Sequence, residues 1–229
     1  FRSGKTVDRL FVLDGCQDGP VKTILREAKK QDTMVQYVKK ERLDQLSETK
    51  NHQGVIAYCA ACEYAEVSDI LENAKKKGEA PFIVLLDGIE DPHNLGAIIR
   101  TANQAGAHGV IIPKRRAVGL TATVARTSAG AVNYTPVAKV TNLVTVMEDL
   151  KKEGMWFVCA DMDGEEMYSL NLKGPIGLVI GNEGEGVSRL VKEHCDMVAS
   201  IPMKGDIDSL NASVAMGVLA YEIVRQRRF

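Results

Sequence analysis

From Pro81 onwards the sequence alternates short apolar runs with amphipathic segments, and this alternation limits the chain to few folds. The run that opens the region reads FIVLLDG and is apolar up to its aspartate. Strands buried on both faces of a parallel sheet have this composition, because helices cover both sides. Strands that alternate with helices are joined by right-handed crossovers. The sequence therefore predicts an α/β fold with a mostly parallel sheet and helices on both faces.

A shorter unit precedes this region and repeats the pattern on a smaller scale. Three strand-like stretches, VDRLFVL, MVQYVK and GVIAYCA, alternate with the helical stretches PVKTILREAKKQ and ERLDQLSE. Pro20 stands where the first helix would begin, a position that proline favours. The stretch CEYAEVSDILENAKKKGEA ends in charges and glycine, which favours a helix that joins two domains. We expect a small α/β domain at residues 1–62, a linker helix at 63–79 and a large domain at 80–229.

Length and charge exclude several classes of protein. A chain of 229 residues, 45% of them hydrophobic, is long enough to bury a sizeable core. Its longest apolar runs fall well short of the roughly 18 to 20 residues that cross a bilayer, and no signal-peptide pattern opens it. The formal charge of −1 gives no global positive field for nucleic acid. Basic residues do cluster locally, at 75–77, 114–116 and 225–228.

The cysteines predict a reducing environment. Five are present, an odd number, scattered mostly among apolar residues. This usage is typical of reduced thiols in a cytoplasmic protein. The close pair in CAAC, at 59–62, has neither a second pair nor a histidine cluster with it. We therefore expect packed, unreactive cysteines there and no metal site.

Three loops of the large domain carry polar residues that local structure does not require. The first is DGIEDPHNLGAIIR, in which Asn94 follows Pro92 at a predicted helix start. Asn94 is therefore a candidate helix cap. Arg100 lies further along the same helix among apolar neighbours. Spacing alone leaves open whether its side chain faces solvent or a pocket.

The second loop, GNEGEG from Gly181 to Gly186, has the glycine content of a phosphate-binding loop. Dinucleotide and P-loop motifs need other glycine spacings, and the P-loop also needs a lysine that this loop lacks. Glu183 and Glu185 put negative charge where a phosphate would need donors. The loop instead suits a ligand with hydroxyl, amine or cationic groups that the backbone can approach closely. A tight turn that needs positive φ is the structural alternative.

The third loop begins with IPM at residues 201–203 and leads into the closing helix. Ser209 is a predicted N-cap, and Asn211 falls in the first turn, where helix N–H groups lack partners. An apolar helix face follows. The small residues between Ala212 and Ala220 permit close packing against another helix or a subunit partner. Taken alone, this loop predicts only a helix cap.

Together and in this order, the three loops resemble the sequence motifs of the SpoU branch, or TrmH family, of the SPOUT methyltransferases. The resemblance rests on Asn94, Gly96 and Arg100, on GNEGEG, and on IPM with SLNASVA. It extends from about Pro81 to the end of the chain, and the joint match is highly specific. The amino-terminal unit, with NHQGVIA at its exit, resembles more loosely the substrate-binding domain of the subgroup that methylates a guanosine of 23S ribosomal RNA.

The resemblance implies a fold, a reaction and partners. The large domain would end in a deep trefoil knot, bind S-adenosylmethionine in a bent conformation and act as a homodimer. The reaction would move the cofactor's methyl group to a ribose 2′-hydroxyl of RNA, a guanosine of 23S rRNA first and transfer RNA as the alternative. A glycine-rich loop fits such a cofactor, because its backbone can contact adenine, hydroxyls and the amino-acid end. No membrane or metal partner is implied, and the expected location is the cytoplasm.

The resemblance also assigns roles to residues of the motifs. Contacts to the cofactor, chiefly through backbone groups, fall to Gly181, Asn182, Ile201, Met203 and Leu210, with Ala129 and Gly130 of TSAGA as pocket neighbours. An ordinary helix end is the structural alternative for TSAGA. The implied catalytic residues are Asn94, Arg100, Glu183, Ser209 and Asn211.

In the family, the arginine that matches Arg100 is the proposed base or activator of the hydroxyl. Guanidinium groups give up a proton reluctantly. We therefore expect Arg100 to orient the ribose or its phosphate and to stabilise the developing alkoxide. Asn94 would fix Arg100 or the substrate, and Glu183 would pair with Arg100 or order it. Ser209 and Asn211 would shape the same pocket.

Two other classes of function compete with this interpretation. A non-catalytic RNA-binding protein could keep the fold, although the intact motif residues argue against it. A nicotinamide-dependent oxidoreductase is disfavoured by the glycine spacing and by the glutamates of GNEGEG. For RNA binding, we expect the amino-terminal domain and the basic cluster Lys114–Arg116 to contact phosphates.

Overall fold

The computed structural model describes residue 1 and residues 5–16, 19–47, 49–207 and 209–229. The chain forms two compact units. The first contains Phe1–Glu63 with Gly119–Ala122, and the second contains Tyr64–Val118 with Thr123–Phe229. Within the described residues, every helix is too short or too polar to cross a membrane.

The first unit is a small α/β domain. Its elements are β1 (Val7–Leu13), α1 (Pro20–Lys30), β2 (Met34–Val38), α2 (Lys40–Leu46) and β3 (Val55–Cys59). The strand order is β2-β1-β3, with β2 parallel and β3 antiparallel to β1. Leu10 and Val12 of β1 pack against Val21 and Ala28 of α1 in a small core. Pro20 opens α1, as the sequence predicts.

The second unit is built on a six-stranded sheet of order β6-β5-β4-β8-β7-β9. Every neighbouring pair in it is parallel. Its elements are α3 (Val67–Lys77), β4 (Phe82–Asp87), α4 (Pro92–Gln104), β5 (Gly109–Pro113), α5 (Ala122–Thr127), β6 (Val137–Val140), α6 (Leu143–Lys152), β7 (Trp156–Glu166), β8 (Ile176–Gly181), α7 (Arg189–Glu193), β9 (Met197–Ser200) and α8 (Ala212–Arg228). The predicted α/β fold with a mostly parallel sheet is confirmed.

Helices cover both faces of this sheet. On one face, Ile70 of α3, Met147 of α6 and Val191 of α7 share a buried core with Ile83 and Leu85 of β4. Residues of a strand alternate between faces, so the equally buried even-numbered residues of β4 point to the other side. There α4 and α8 pack against each other, with α4 also against β5 and α8 against β8. Because helices cover both faces of β4, all six residues of FIVLLD are buried, which explains why the run is apolar up to its aspartate.

The chain reverses its direction of travel across the sheet next to β4. It moves outward through β5 to β6, then crosses to the opposite side of β4 as β7, and β8 fills the place between β7 and β4. Asp87 and Gly181, which end the two strands, lie side by side in the register. Ligand sites of open parallel sheets form at the carboxyl ends of strands where the order reverses. The fold therefore places the first and second predicted loops at the same switch point.

A polar network centred on a buried histidine lies at the opposite edge, where the strands begin. His108 is fully buried, and its Nδ1 accepts a hydrogen bond from the N–H of Phe82 at 3.0 Å. Its Nε2 lies 3.1 Å from Glu79 Oε2. Arg227, near the end of α8, donates to the carbonyl oxygens of Ala80, Pro81 and Gly174 at 2.7–3.0 Å. We call Glu79, His108 and Arg227 the amino-end network.

The helix starts differ from the sequence expectation in two places. Asp91 rather than Asn94 caps α4, accepting a hydrogen bond from the N–H of His93 at 3.0 Å. The prediction of Ser209 as the cap of the closing helix is wrong, because α8 begins at Ala212 and its N-cap is Asn211. Asparagine and serine cap helices about equally well, so preference alone could not choose between them.

Two further expectations concern cysteines and the knot. All five cysteines are free thiols, but Cys59 is exposed, so the prediction that the CAAC pair is packed is wrong for this residue. The end of β3 leaves its side chain uncovered. The deep trefoil knot stays a prediction, since strand order and register define neighbours and not how the chain threads between them.

Candidate active site

A cavity of about 550 Å³ opens at the carboxyl ends of β4 and β8. The first and second predicted loops supply most of its wall, and the loop after β5 adds one residue. The lining residues are Asp87, Gly88, Ile89, Glu90, Asp91, Asn94, Arg116, Asn182, Glu183, Gly184, Glu185, Gly186 and Ser188. Carboxylates dominate the charged side chains of this list, and GNEGEG itself supplies two of them, so the glycine loop is unsuited to cradle a phosphate. This agrees with the exclusion of a phosphate cradle from the sequence.

The loop GNEGEG is a tight turn organised by Asn182. Its Oδ1 accepts hydrogen bonds from the N–H groups of Gly184 at 2.9 Å and Glu185 at 2.6 Å. The N–H of Gly186 donates to the carbonyl of Asn182 at 3.0 Å. A Cβ atom on Gly181 would lie 2.0 Å from the carbonyl carbon of Gly186, far inside contact distance. Position 181 therefore requires glycine, because the backbone at Gly186 passes too close for any side chain.

Glu183, at the tip of this turn, joins the three motifs. Its Oε1 accepts hydrogen bonds from Asn94 Nδ2 at 3.0 Å, from Asn211 Nδ2 and from the N–H of Ala212 at 3.3 Å. Asn211 Nδ2 also lies 3.0 Å from Asn94 Oδ1. Each motif thus supplies one side chain to a single group. We call Asn94, Glu183 and Asn211 the carboxyl-end cluster.

Asn211 connects this cluster to helix α8. Its Oδ1 accepts from the N–H groups of Ser213 at 3.0 Å and Val214 at 3.4 Å, so it caps the helix. Its Nδ2 serves Glu183 and Asn94 at the same time. A carboxylate near the positive end of a helix is also favoured electrostatically. Helix capping and site assembly therefore depend on the same amide.

Asp87 ties the first loop to the second and was missed from the sequence. It is almost fully buried at the end of β4, and its Oδ2 accepts a hydrogen bond from the N–H of Ser188 at 2.8 Å. This bond holds the exit of GNEGEG against the central strand. The sequence signal was an aspartate that ends an apolar strand beside a polar loop.

The two other predicted catalytic residues lie outside the cluster. Arg100 is exposed on α4, which settles the question that spacing left open in favour of solvent. In the described part of the chain, no ion pair joins Arg100 to Glu183, which is engaged by asparagines instead. Ser209 is exposed and precedes α8. Neither residue lines the cavity described above.

The predicted cofactor residues fall in two segments besides the glycine turn. Ile201, Met203 and Leu210 belong to the stretch between β9 and α8, in which Ile201 and Leu210 are half-buried and Met203 is exposed. Ala129 and Gly130 follow α5 with φ of 50° and 82°, both in the left-handed region. The chain therefore turns sharply at TSAGA, as it does at an ordinary helix end. Only Asn182 of the predicted cofactor residues lines the cavity.

The carboxylates around the cavity do not converge as metal ligands do. Among the residues that the structure describes, no group of three or more His, Cys, Asp or Glu side chains is arranged to hold a metal ion. The glutamates are instead distributed around the wall, with Glu183 held by amide donors. The site provides hydrogen-bonding groups and charge.

Solved structures with the same architecture are methyltransferases. The chain is similar to AviRb, the SpoU methyltransferase of Streptomyces viridochromogenes solved in complex with AdoMet, with a TM-score of 0.65, 27% identity, and coverage of 99% of this chain and 85% of that one. It is also similar to an AdoMet-bound rRNA methyltransferase of Sinorhizobium meliloti, with a TM-score of 0.65, 26% identity, and coverage of 97% and 81%. Fold and site together define an RNA methyltransferase of the SPOUT class.

Sequence comparison gives the particular family. Residues 81–221 match the model of the SpoU rRNA Methylase family, and residues 1–65 match a model described as RNA 2′-O ribose methyltransferase substrate binding. The chain belongs to the SpoU rRNA methylase family. YacO of Bacillus subtilis (strain 168), which carries a TrmH family tRNA/rRNA methyltransferase name, is 49% identical over 228 residues, covering 99% of this chain and 91% of that relative. A similarly named protein of Staphylococcus saprophyticus is 45% identical over 228 residues, with the same coverage.

Proposed function

We propose that the protein transfers the methyl group of S-adenosylmethionine to a ribose 2′-hydroxyl of RNA, and that the substrate is a guanosine of 23S rRNA. The observation that carries the proposal is the carboxyl-end cluster, in which one residue from each motif converges on Glu183 beside the cavity. The family description of the amino-terminal residues, which names 2′-O ribose methylation, supports the ribose as acceptor.

The residues assigned to the cofactor suit its chemistry. Two structural neighbours were solved with AdoMet. In this chain residues 202–207, which follow β9, are exposed and lie outside any helix or strand, so their amides and carbonyls can contact adenine. Met203 and Ile207 offer exposed apolar surface beside them. Adenine recognition through backbone groups and apolar contacts needs these features.

The chain's own residues would position the acceptor hydroxyl. S-Adenosylmethionine supplies an electrophilic methyl group on a sulfonium when it is bound. Glu183 Oε1 is occupied by amide donors, whereas its Oε2 has no hydrogen-bond partner among the described residues. It can accept a hydrogen bond from the ribose hydroxyl and then its proton, as the oxygen bonds to the methyl carbon and the methyl–sulfur bond breaks. Asn94 and Asn211 hold that carboxylate in one orientation. Accurate placement of the reacting groups is worth several orders of magnitude in rate.

Arg100 is proposed to act on the substrate as a cation. Guanidinium groups stay protonated in proteins, so stabilisation of the developing alkoxide is a better role than proton removal. Arg100 lies on the exposed side of α4, two turns after Asn94, where RNA can reach it. Ser209, exposed before α8, is proposed to contact the same nucleotide.

The proposal includes a homodimer and an assignment for the amino-terminal domain. The outer side of α8 presents Val214 and Tyr221, about half exposed, with Gly217 and Val218 between them. An apolar stripe on a helix beside the site suits a subunit contact. Residues 1–62 are proposed to bind the RNA, residues 63–79 to link them to the catalytic domain, and residues 80–229 to carry the reaction.

Transfer RNA is the second candidate substrate. The relatives in Bacillus and Staphylococcus carry names that cite tRNA and rRNA together, so the names do not choose between them. Mapping of 2′-O-methyl sites in total RNA from a deletion strain and its complemented parent would decide. A site that is lost only from 23S rRNA supports the proposal, and a site that is lost only from tRNA contradicts the rRNA assignment.

The central test is Arg100→Ala with RNA from the deletion strain. Loss of a cation that stabilises the transition state should lower kcat about 10²- to 10³-fold, while Kd for S-adenosylmethionine stays within about twofold. Gln104→Ala, one turn further along the exposed side of α4, is the matched control and should keep near-normal turnover. Full turnover by Arg100→Ala would refute its assigned role. No binding of the methyl donor in calorimetry would favour a non-catalytic RNA-binding protein.

A further inference from the structure

We propose that Arg116 forms a phosphate-binding subsite that holds the target nucleotide of the RNA in the cavity. The inference rests on the proposed function and adds a residue to it. Arg116 comes from the loop after β5 and lies in the wall of the same cavity as Asn94 and Glu183. Of the basic cluster at 114–116, it is the one member in that wall.

The charges around Arg116 favour a cation at this position when an anionic ligand enters the cavity. The other charged lining residues are carboxylates: Asp87, Glu90, Asp91, Glu183 and Glu185. A nucleotide cannot bring its ribose to Glu183 without also bringing the phosphates attached to that ribose. Like charges in a partly enclosed cavity repel strongly, since water screens them less there. Arg116 offsets this repulsion, and its planar fork of N–H donors matches two phosphate oxygens at once.

The backbone at Arg116 gives independent support. Its φ is 53°, in the left-handed region that residues other than glycine, asparagine and aspartate seldom adopt. Four other described non-glycine residues share such a φ, and none of them lines the cavity. Strained backbone that aims a side chain into a site is typical of functional positions. Glycine would relieve the strain, and at Arg116 a strained backbone coincides with a charged side chain in the cavity wall.

Covalent geometry selects the phosphate. In a ribonucleotide the 2′-hydroxyl and the 3′-phosphate are attached to adjacent ring carbons. A hydroxyl held at Glu183 therefore brings its 3′-phosphate into the same cavity, whose wall includes Arg116. A contact at this position fixes the ribose directly, whereas a cation elsewhere on the surface only raises the local concentration of RNA.

The test compares Arg116→Gly with Arg115→Gly. Glycine suits the left-handed backbone at position 116, so this variant should fold and melt at or above the wild-type temperature. Arg115 is exposed, as Arg116 is, but it is absent from the cavity wall, so its variant reports the effect of one surface charge and of added loop flexibility. Substrate is RNA from the deletion strain, and initial rates, Kd for S-adenosylmethionine and melting temperature are measured for each variant.

Arg116→Gly should lower kcat/KM for RNA by roughly 10- to 100-fold, as expected for a lost charge-assisted pair. Arg115→Gly should lower it by less than about threefold, the size of an exposed charge effect. Arg116→Lys, which keeps the charge without the fork, should recover part of the loss. Equal kcat/KM values for the two glycine variants would overturn the proposal.

A chemically edited substrate separates a phosphate contact from any other role. Once the methylated nucleotide is mapped, an RNA oligonucleotide that spans it is made with a neutral methylphosphonate at the 3′-phosphate. The wild-type enzyme should lose activity on it, and Arg116→Gly should lose no more. An additional, independent loss in Arg116→Gly would contradict the contact. A wild-type enzyme that methylates no RNA would instead refute the proposed function and leave the variants without a signal to compare.

Discussion

The large unit carries a polar cluster at each edge of its sheet, and the two differ in what surrounds them. The amino-end network is centred on a fully buried histidine and an arginine that bonds to three backbone carbonyls. The carboxyl-end cluster is built from exposed or half-buried side chains around a glutamate. In the first, the histidine and the arginine are directed mainly at backbone groups of the protein, whereas the second keeps groups that face the cavity. We therefore expect similar polar chemistry to support stability at one edge and function at the other.

The largest effect that separates the two edges should come from Glu183→Ala. The variant removes the acceptor that holds Asn94 and Asn211, so we expect kcat to fall about 10²- to 10³-fold. The melting temperature should change by only a few degrees, because the lost contacts are exposed. Glu185→Ala, in the same turn but outside the carboxyl-end cluster, should lose less than about tenfold. A loss of folding in Glu183→Ala would mean that the carboxyl-end cluster is structural too.

Arg227→Met should show the reverse pattern at the other edge. It removes the guanidinium that bonds to carbonyls of Ala80, Pro81 and Gly174 and lies over the ring of Phe82. We expect roughly 2 to 3 kcal/mol less free energy of unfolding, with kcat unchanged at temperatures where the protein is folded. Denaturant titration measures this loss. Arg228→Met, at the exposed neighbouring position, is the control, and an equal loss there would show that Arg227 is not special.

The smallest effect concerns pH and the amino-end network. Burial lowers the pKa of His108 below its ordinary value of 6.5, although the hydrogen bond to Glu79 opposes this. Since Nδ1 accepts from the N–H of Phe82, the folded protein holds the neutral ring. Below about pH 6.5 His108 binds a proton in the unfolded chain but stays neutral in the folded chain until the pH reaches its lower pKa. The free energy of unfolding should therefore fall as the pH drops from about 6.5 toward the folded pKa, by at most about 1.4 kcal/mol per pH unit.

The measurement is denaturant unfolding between pH 7 and pH 5. His108→Gln retains an acceptor for the N–H of Phe82 but cannot titrate, so its unfolding free energy should vary less with pH than that of the wild type. Identical slopes for the two proteins would contradict the assignment of the proton uptake to His108. At a fixed pH at which both proteins are folded, His108→Gln and the wild type should have the same methylation activity.

Much of the fold follows from local sequence signals. The continuous apolar run of β4 indicates a strand covered on both faces, and it is fully buried in the structure. Pro20 and Pro92 mark helix starts as predicted. These features depend on neighbouring residues, so periodicity and backbone preference were enough to predict them.

The site was only partly readable from the sequence. Motif order predicted that Asn94, Glu183 and Asn211 belong together, but their hydrogen bonds span 28 to 117 residues of separation, so the partners could not be deduced. In the structure the carboxylate of Glu183 is held by amide donors, and its expected pairing with Arg100 stays a prediction. Arg116 is distinguished within its basic cluster by its left-handed φ and its place in the cavity wall. An arginine in the sequence does not predict a positive φ, so this choice needed the structure.

Asn211 has a consequence for how this site can change in sequence. Several residues cap a helix well, because an oxygen acceptor is all that the first N–H groups need. At this helix start the side chain must also donate to Glu183 and Asn94, and aspartate, an excellent cap, has no donor when ionised. Asparagine alone among the strong caps combines an oxygen with an NH₂ group on the opposite side of the same plane. An Asn211→Asp exchange would keep a good helix cap. It would also place a second carboxylate beside Glu183, and the repulsion would separate the third motif from the other two.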